Sequence, residues 1–259
     1  MKLPTGKIIV ITGGSSGIGL RLKGMLCKNN TVISLSRSAS GEDITCDLSD
    51  KESVNRAIEQ IKSRFDRVDM LINNAGYGLY GASELLSVDE IEKQFDTNLI
   101  GAIQLTKGVL PLMNEGAKIV NISSACALFP LPFRTMYCAS KAGMSMYSHS
   151  LKMELAPYGI DVTAICPGDI KSNFTKNRVK DYSTNARYGD RIALADAKIN
   201  DREAKRMDEK RAVDKIAAII AKRRYKPMYI VGAKYKFLYF LYRVTPHSLF
   251  MSATRKLFS

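Results

Sequence analysis

The sequence has no tryptophan and only two histidines, His149 and His247, in 259 residues. Its five cysteines, Cys27, Cys46, Cys126, Cys138 and Cys166, are odd in number and contain no Cys-x-x-Cys pair. So thin a supply of soft ligands excludes a zinc-finger-like metal site, and the scattered odd set excludes a disulfide framework. No metal is expected, and reduced thiols suit a cytoplasmic protein. Long apolar runs are missing too. No stretch of about 18 uncharged apolar residues exists to span a bilayer. The first residues run straight into a strand-like Ile8-Ile9-Val10-Ile11, with no leader-type apolar region or cleavage site.

Acidic side chains are absent from one long stretch. From Lys222 onward there is no Asp or Glu, against nine Lys and Arg, so much of the net charge of +14 sits in the tail. Such a tail could meet phosphates of lipid or of nucleic acid. Residues 234–259 mix these cations with Tyr235, Phe237, Leu238, Tyr239, Phe240, Leu241 and Tyr242. They read as an amphipathic helix that lies peripherally on a membrane surface, closes a pocket, or packs on the core or a neighbouring subunit. Aromatics among cations can also stack on bases. No nucleic-acid-binding motif accompanies them, so no nucleic-acid partner is expected.

What is present is ordinary globular material. Hydrophobic residues make up 46% and charged residues 25%, which separates the chain from disordered sequences. The length suits one domain, 1–259, with most of its apolar surface buried. Short apolar runs at 8–11, 31–35, 44–48, 68–72, 118–124, 160–166 and 228–232 read as buried strands, with helical spacing between most of them. That alternation predicts an α/β fold, a doubly wound Rossmann-type parallel sheet of about seven strands with helices on both faces. Ser49 or Asp50 caps a helix running to about Phe65, and Ser87-Val88-Asp89-Glu90 opens a long one. From Asn173 to about Lys215 periodicity is poor and charge dense. This segment, 173–215, is read as a substrate lid ending in a helix from Val213 to Lys222.

Two places carry chemistry. The first follows strand 8–11, where Thr12-Gly13-Gly14-Ser15-Ser16-Gly17-Ile18-Gly19 leads into a helix. Gly13 allows a tight turn, Gly17 lets backbone N–H groups approach a diphosphate, and Gly19 lets helix and strand pack closely. The second is Tyr137-Cys138-Ala139-Ser140-Lys141. Tyrosine and lysine four residues apart share one helix face. An ammonium beside a phenol favours the phenolate, and a tyrosine tuned in this way can serve as general acid or base. At the end of the second strand, Ser36-Arg37-Ser38 contains no carboxylate. Arginine with two hydroxyls suits a ribose 2′-phosphate, so NADP(H) is preferred over NAD(H).

These segments, with Asn73-Asn74-Ala75-Gly76 after the fourth strand and Pro167-Gly168 after the sixth, occur in the order and at the spacing of the short-chain dehydrogenase/reductase family. The chain resembles that family over roughly residues 5 to 232, and most resembles its hydroxysteroid and retinol dehydrogenase-like branch. The resemblance implies a catalytic set of Asn98, Ser124, Tyr137 and Lys141. Ser124 stands thirteen residues before Tyr137, the family spacing, and Ser123 should point to the opposite face. Asn98 would hold a water that contacts Lys141. The cofactor would lie on Gly13, Ser15, Ser16, Gly17, Ile18 and Gly19, on Ser36, Arg37 and Ser38, and on Asp47 and Leu48 at the adenine. It would also meet Asn74, Ala75, Gly76, Tyr137, Lys141, Pro167, Gly168, Ile170 and Ser172. Tyr80, Phe129 and Phe174, with Leu79, Leu128, Pro130 and Phe133, are expected to wall an apolar pocket around Ser124 and Tyr137. The implied activity interconverts a lipophilic ketone and a secondary alcohol, first a hydroxysteroid or bile acid, alternatively a long-chain lipid ketone (ketosphinganine-like) or a retinoid. A homodimer or homotetramer is implied as well. From a different class, some chains of this fold are non-catalytic NADP-binding regulators, but these usually lack the tyrosine or lysine.

Overall fold

The computed structural model describes residues 3–172, 174, 178–200 and 206–258. The parts of the expected lid at 173, 175–177 and 201–205 lie outside the described residues, as does the last residue of the tail.

Seven parallel strands form the central sheet: β1 (Ile8–Thr12), β2 (Thr31–Ser36), β3 (Ile44–Thr45), β4 (Met70–Asn73), β6 (Lys118–Ile122), β7 (Asp161–Pro167) and β11 (Met228–Val231). Their order across the sheet is β11-β7-β6-β4-β1-β2-β3. All pair in parallel, for example Val10 opposite Ile33 on one side and Leu71 on the other. The chain builds outward from β1 in one direction, then returns through β4 and builds in the other. The reversal therefore falls between β1 and β4, and the carboxyl ends of those strands open the crevice where ligands of such sheets bind.

The two sheet faces are visible in the alternation of side chains. Ile9, Ile11, Met70 and Ile72 pack into one core, with Leu22 and Leu26 of helix α1 (Gly17–Leu26) and Val213, Ile216 and Ile220 of the helix Glu209–Ile220. Val10, Leu71, Ile119 and Val162 point the other way, onto helices α2 (Lys51–Arg64), α4 (Gly101–Val109) and α5 (Thr135–Leu155). Period-two alternation on strands buried on both faces produces this division.

The segment after β7 differs from the expectation in two respects. Residues 209–215, assigned to the lid, belong to a core helix that begins at Glu209, four residues before the expected start at Val213, with Ala212 and Val213 buried. Within the remainder, a ten-residue helix, Arg191–Asn200, buries Ile192, Ala195 and Ile199 in a third small core with Tyr80, Ala82 and Phe133. Two-residue strands stitch the segment to the body. β5 (Leu79–Tyr80) pairs with β9 (Val179–Lys180), and β8 (Ile170–Lys171) pairs with β10 (Met207–Asp208). The tail forms two helices, Ala233–Val244 and His247–Phe258, broken at Thr245-Pro246. Pro246 cannot continue a helix because it has no N–H to donate.

Candidate active site

A cleft of about 600 Å³ opens at the carboxyl ends of β1 and β4. Every residue expected at the cofactor lines it, from Gly13 through Arg37, Asp47 and Asn74 to Lys141 and Ser172. Gly13 turns the chain with φ +69°, and a Cβ on Gly19 would sit on the Gly13 carbonyl oxygen. The glycine turn is fastened to the next loop by Thr12. Its hydroxyl accepts from the N–H groups of Asn74 and Ala75, both at 2.9 Å, and its carbonyl accepts from Asn74 Nδ2 at 3.0 Å. Ser16 at the N-cap of α1 makes no side-chain capping bond, so the first N–H groups of that helix are free to meet an anion.

At one end of the cleft, Ser36 donates to the Ser38 carbonyl at 3.2 Å beside Arg37. Burial would raise the Asp47 carboxyl. The N–H and hydroxyl of Ser49, at 2.9 and 2.8 Å, and then the Arg37 charge, hold it below its ordinary value instead.

Asn98 owes its position to a fault in a helix. α3 (Val88–Phe95) opens on a capping box, in which the Ser87 hydroxyl accepts from the Glu90 N–H and the Glu90 carboxylate accepts from the Ser87 N–H. Instead of continuing into α4, the chain makes a π turn over Asp96–Ile100. Such bulges are frequent at functional sites. The turn carries Asn98 inward to 1% exposure. There it grips the Tyr77 backbone, accepting from its N–H at 3.0 Å and donating to its carbonyl at 2.9 Å. Asn98 Oδ1 and Lys141 Nζ both face Gly76, 2.9 and 3.3 Å from where a Cβ would stand. Only glycine leaves room between them.

The serines after β6 divide as side-chain alternation requires. Ser123 Oγ donates to the Lys141 carbonyl at 2.8 Å and lies 2.8 Å from Ser145 Oγ, so it is spent on holding α5. The Ser124 hydroxyl accepts from the Cys126 N–H at 3.2 Å and bonds the Tyr137 phenol. Tyr137 is 8% exposed and Lys141 4%.

The electrostatics depart from the expected phenol–ammonium coupling. Burial, and next the Cys126 sulfur, push the Tyr137 phenol well above its ordinary value, while Ser124, Arg178 and Arg134 act to lower it. Lys141 is not among its largest influences. Its ammonium is turned to the Ile122 carbonyl at 2.9 Å, and burial pulls the lysine down to about 8. The spacing of four places the pair on one helix face, but a backbone acceptor on β6 takes the ammonium.

The expected substrate wall is also corrected. Phe174 lines the cleft, its ring centroid 5.8 Å from that of Tyr137, and Leu79 lines it too. Tyr80 does not. It is fully buried in the third core and its hydroxyl donates to the Ile192 carbonyl at 2.8 Å. Phe133 packs against it, with ring centroids 6.1 Å apart. Phe129 faces the tail, stacked on Tyr235 at 6.3 Å and tilted against Phe250 at 6.2 Å. Pro130 lines a separate groove against the last helix, and Leu128 is absent from the cleft lining. In their place stand Cys126, Arg134 and Arg178, which the sequence reading did not anticipate. The spacing of Arg134, one turn before Tyr137, could have pointed to it. Arg178 carries no local signal, because only the folding-back of its segment over Gly78 brings it to the cleft. Among the described residues no group of three or more His, Cys, Asp or Glu could hold a metal ion.

The comparisons with known proteins follow the same lines. The family model described as short chain dehydrogenase matches residues 7–183. A 3-ketodihydrosphingosine reductase of Bacteroides thetaiotaomicron is 38% identical over 180 residues, 66% of this chain and 67% of its own. A probable short-chain type dehydrogenase/reductase, VdlC, of Helicobacter pylori is 32% identical, over 95% of this chain and 96% of its own. Among solved structures, a short-chain dehydrogenase from Streptomyces avermitilis superposes with TM-score 0.79 at 24% identity, covering 97% of this chain and 96% of the other. One from Burkholderia cenocepacia, in complex with NADP, gives 0.74 at 20% identity over 98% and 99%.

Proposed function

Because the chain belongs to the short-chain dehydrogenase family, whose members are oxidoreductases, we propose that it interconverts a ketone and a secondary alcohol with NADP(H). The observation that carries this reading is the single cleft that joins the glycine turn to Ser124, Tyr137 and Lys141. The residues fit the cofactor. The uncapped N-terminus of α1 would take its diphosphate, Arg37 with Ser36 and Ser38 the 2′-phosphate, and Asp47 the adenine. When bound, NADPH supplies the hydride.

The chain's own residues handle the oxygen and its proton. Tyr137, kept neutral by burial, gives its proton to the carbonyl oxygen in reduction. Ser124 donates a second hydrogen bond to that oxygen as negative charge develops. Lys141 places a buried positive charge beneath them, and Asn98 holds Tyr77 and Gly76 against it.

The substrate is lipophilic in this reading. The steroid or bile-acid choice rested on the resemblance to the hydroxysteroid branch together with an apolar, partly aromatic wall, and of that wall Tyr80, Phe129 and Phe133 lie outside the cleft. The long-chain lipid ketone is favoured over it by the relatives named as a 3-ketodihydrosphingosine reductase and a ketoacyl reductase. The test is NADPH and NADH consumption against a panel of long-chain, steroid, bile-acid and retinoid ketones, repeated with Arg37→Asp. NADPH should be preferred by the natural chain, and the variant should shift the ratio of efficiencies toward NADH by roughly 10- to 100-fold, the weight of a charge-assisted phosphate contact. An unchanged ratio removes the role given to Arg37.

A further inference from the structure

Two arginines in the substrate half of the cleft are not used by the mechanism above. Arg134 stands at the N-cap of α5, three residues before Tyr137, and is 5% exposed. Phe133, the only described non-glycine residue with positive φ, at 59°, makes the reversal that delivers it. Arg178 lies across Gly78, its Nε and Cγ 3.2 and 3.4 Å from where a Cβ on that glycine would stand. Phe174 covers the same glycine and leans on the Tyr137 ring. Both guanidiniums line the cleft.

Both also carry unmet donors. Arg134 Nε and Arg178 Nη1 are buried with no hydrogen-bond partner among the described residues. The two are close enough to act on each other, since burial and then Arg134 pull Arg178 down to about 10, which still leaves it charged at neutral pH. The acidic groups that face them are partly spoken for. Asp196, which acts on Arg178, accepts from Lys180 and Tyr182 through Oδ2, both at 2.6 Å, and Asp169, which acts on Arg134, is hydrogen-bonded to Tyr235. Cys126, whose thiol is brought down to about 6, chiefly by a hydrogen bond from Cys138, gives Arg134 a hydrogen-bonded anionic partner and acts on Arg178 as well, yet the Arg134 Nε and Arg178 Nη1 donors stay open. The charges are thus partly balanced, but buried donors left unmet are costly, and a ligand oxyanion reaching both would satisfy them.

The cofactor's own phosphates do not answer this. The diphosphate and 2′-phosphate positions, at the start of α1 and at Arg37, lie along the glycine-turn side. The groups around Arg134 and Arg178 are Tyr137, Cys126, Asp169, Asp196 and Gly78. We propose that Arg134 and Arg178 form an anion site beside the reacting carbonyl, so that the substrate is a long-chain ketone bearing a carboxylate or phosphate close to the keto group. This rests on the oxidoreductase reading for the word substrate, but the site itself does not.

The test is calorimetric titration of the NADP⁺-saturated protein with four eight-carbon probes: octanoate, octyl phosphate, methyl octanoate and octylamine. NADP⁺ keeps Arg37 occupied. An anionic probe should bind roughly 10- to 100-fold more tightly than the methyl ester, the range of charge-assisted pairs, with octylamine weakest. Whichever of octanoate and octyl phosphate binds more tightly identifies the anion. Arg178→Gln should bring that anion near parity with the ester, and Arg134→Lys should keep part of the preference. NADP⁺ affinity of each variant reports that the cleft is folded. Equal binding of anion and ester, or a preference that survives Arg178→Gln, overturns the proposal. Anion binding lost in the variant, in a protein that reduces no ketone of the panel, sustains the site and sinks the redox reading. Turnover of neutral ketones without any anion preference does the reverse.

Discussion

Lys141 shows how far burial can move a side chain from its sequence-level expectation. The spacing from Tyr137 suggests an ammonium that depresses a phenol, but the structure gives a lysine brought down to about 8 and a phenol pushed up, each mainly by loss of water. The consequence can be measured on the unliganded protein. The unfolded chain holds the Lys141 proton up to about pH 10 and the folded one releases it near 8. Between those values the unfolded state binds more protons, so stability should rise with pH, by on the order of 2 kcal/mol for this group. Above about pH 10 the buried tyrosines, Tyr137 among them, reverse the trend. The buried thiols of Cys46, Cys138 and Cys166, all pushed up, lose stability in the same window, so the gain is read as the difference between the natural chain and Lys141→Met in denaturant unfolding from pH 8 to 10. Parallel profiles of the two proteins would show that the ammonium is not desolvated. The residues legible in the sequence were those tied to backbone geometry, Gly13, Gly19 and the Ser124–Tyr137 spacing. Arg134 and Arg178 were not, because their meaning depends on a third core formed by Tyr80, Phe133 and the helix Arg191–Asn200.

Among the elements, the seven sheet strands could be read because each is a short apolar run between helical spacings, and a strand buried on both faces needs no other signal. β3 is shorter than its apolar run: Cys46 still gives its N–H to the Ser36 carbonyl at 3.0 Å, and Cys46, Asp47 and Leu48 then line the cleft. The helix Arg191–Asn200 is short, and the partners of its buried face, Tyr80 and Phe133, lie far away in sequence. The contact between α1 and β1 is the element on which cofactor binding rests. Gly19→Ala would drive a methyl into the Gly13 carbonyl and within 2.5 Å of Asn74 Nδ2. Since both are held by Thr12, neither can yield cheaply. The variant should lose about 1–3 kcal/mol of stability by overpacking and bind NADPH at least about tenfold more weakly. Gly24→Ala, at an open position of the same helix, is the control and should be neutral or slightly stabilising. Equal NADPH affinity in the two variants would remove the glycine turn from the cofactor site.

On the scale of the whole molecule, the tail divides its faces. Tyr235 and Phe250 fold back on Phe129, while Phe237, Phe240, Val244, Leu249 and Met251 stay exposed beside Lys234, Lys236, Arg243 and Arg255. No helix among the described residues is long and apolar enough to cross a membrane. An exposed apolar stripe flanked by cations, with no acidic residue after Lys222, is suited to an anionic lipid surface, and this is how we read the tail. Sedimentation with vesicles should show binding to anionic but not to zwitterionic lipid, weakened by salt. Phe237→Ser with Phe240→Ser should reduce it about tenfold or more. Equal binding to both vesicle types, or none, would return the tail to packing on the body or on a second subunit.

The central claim is that the cleft reduces a ketone through a proton from Tyr137. The most direct measurement compares NADPH consumption by the natural chain and by Tyr137→Phe, using the best ketone of the panel, with NADPH affinity determined in parallel. Phenylalanine keeps the ring against Phe174 and removes only the hydroxyl. In Tyr137→Phe, kcat should fall about 10²- to 10⁴-fold, the usual weight of a positioned general acid, with NADPH affinity held within about twofold. Full turnover by Tyr137→Phe would contradict that claim.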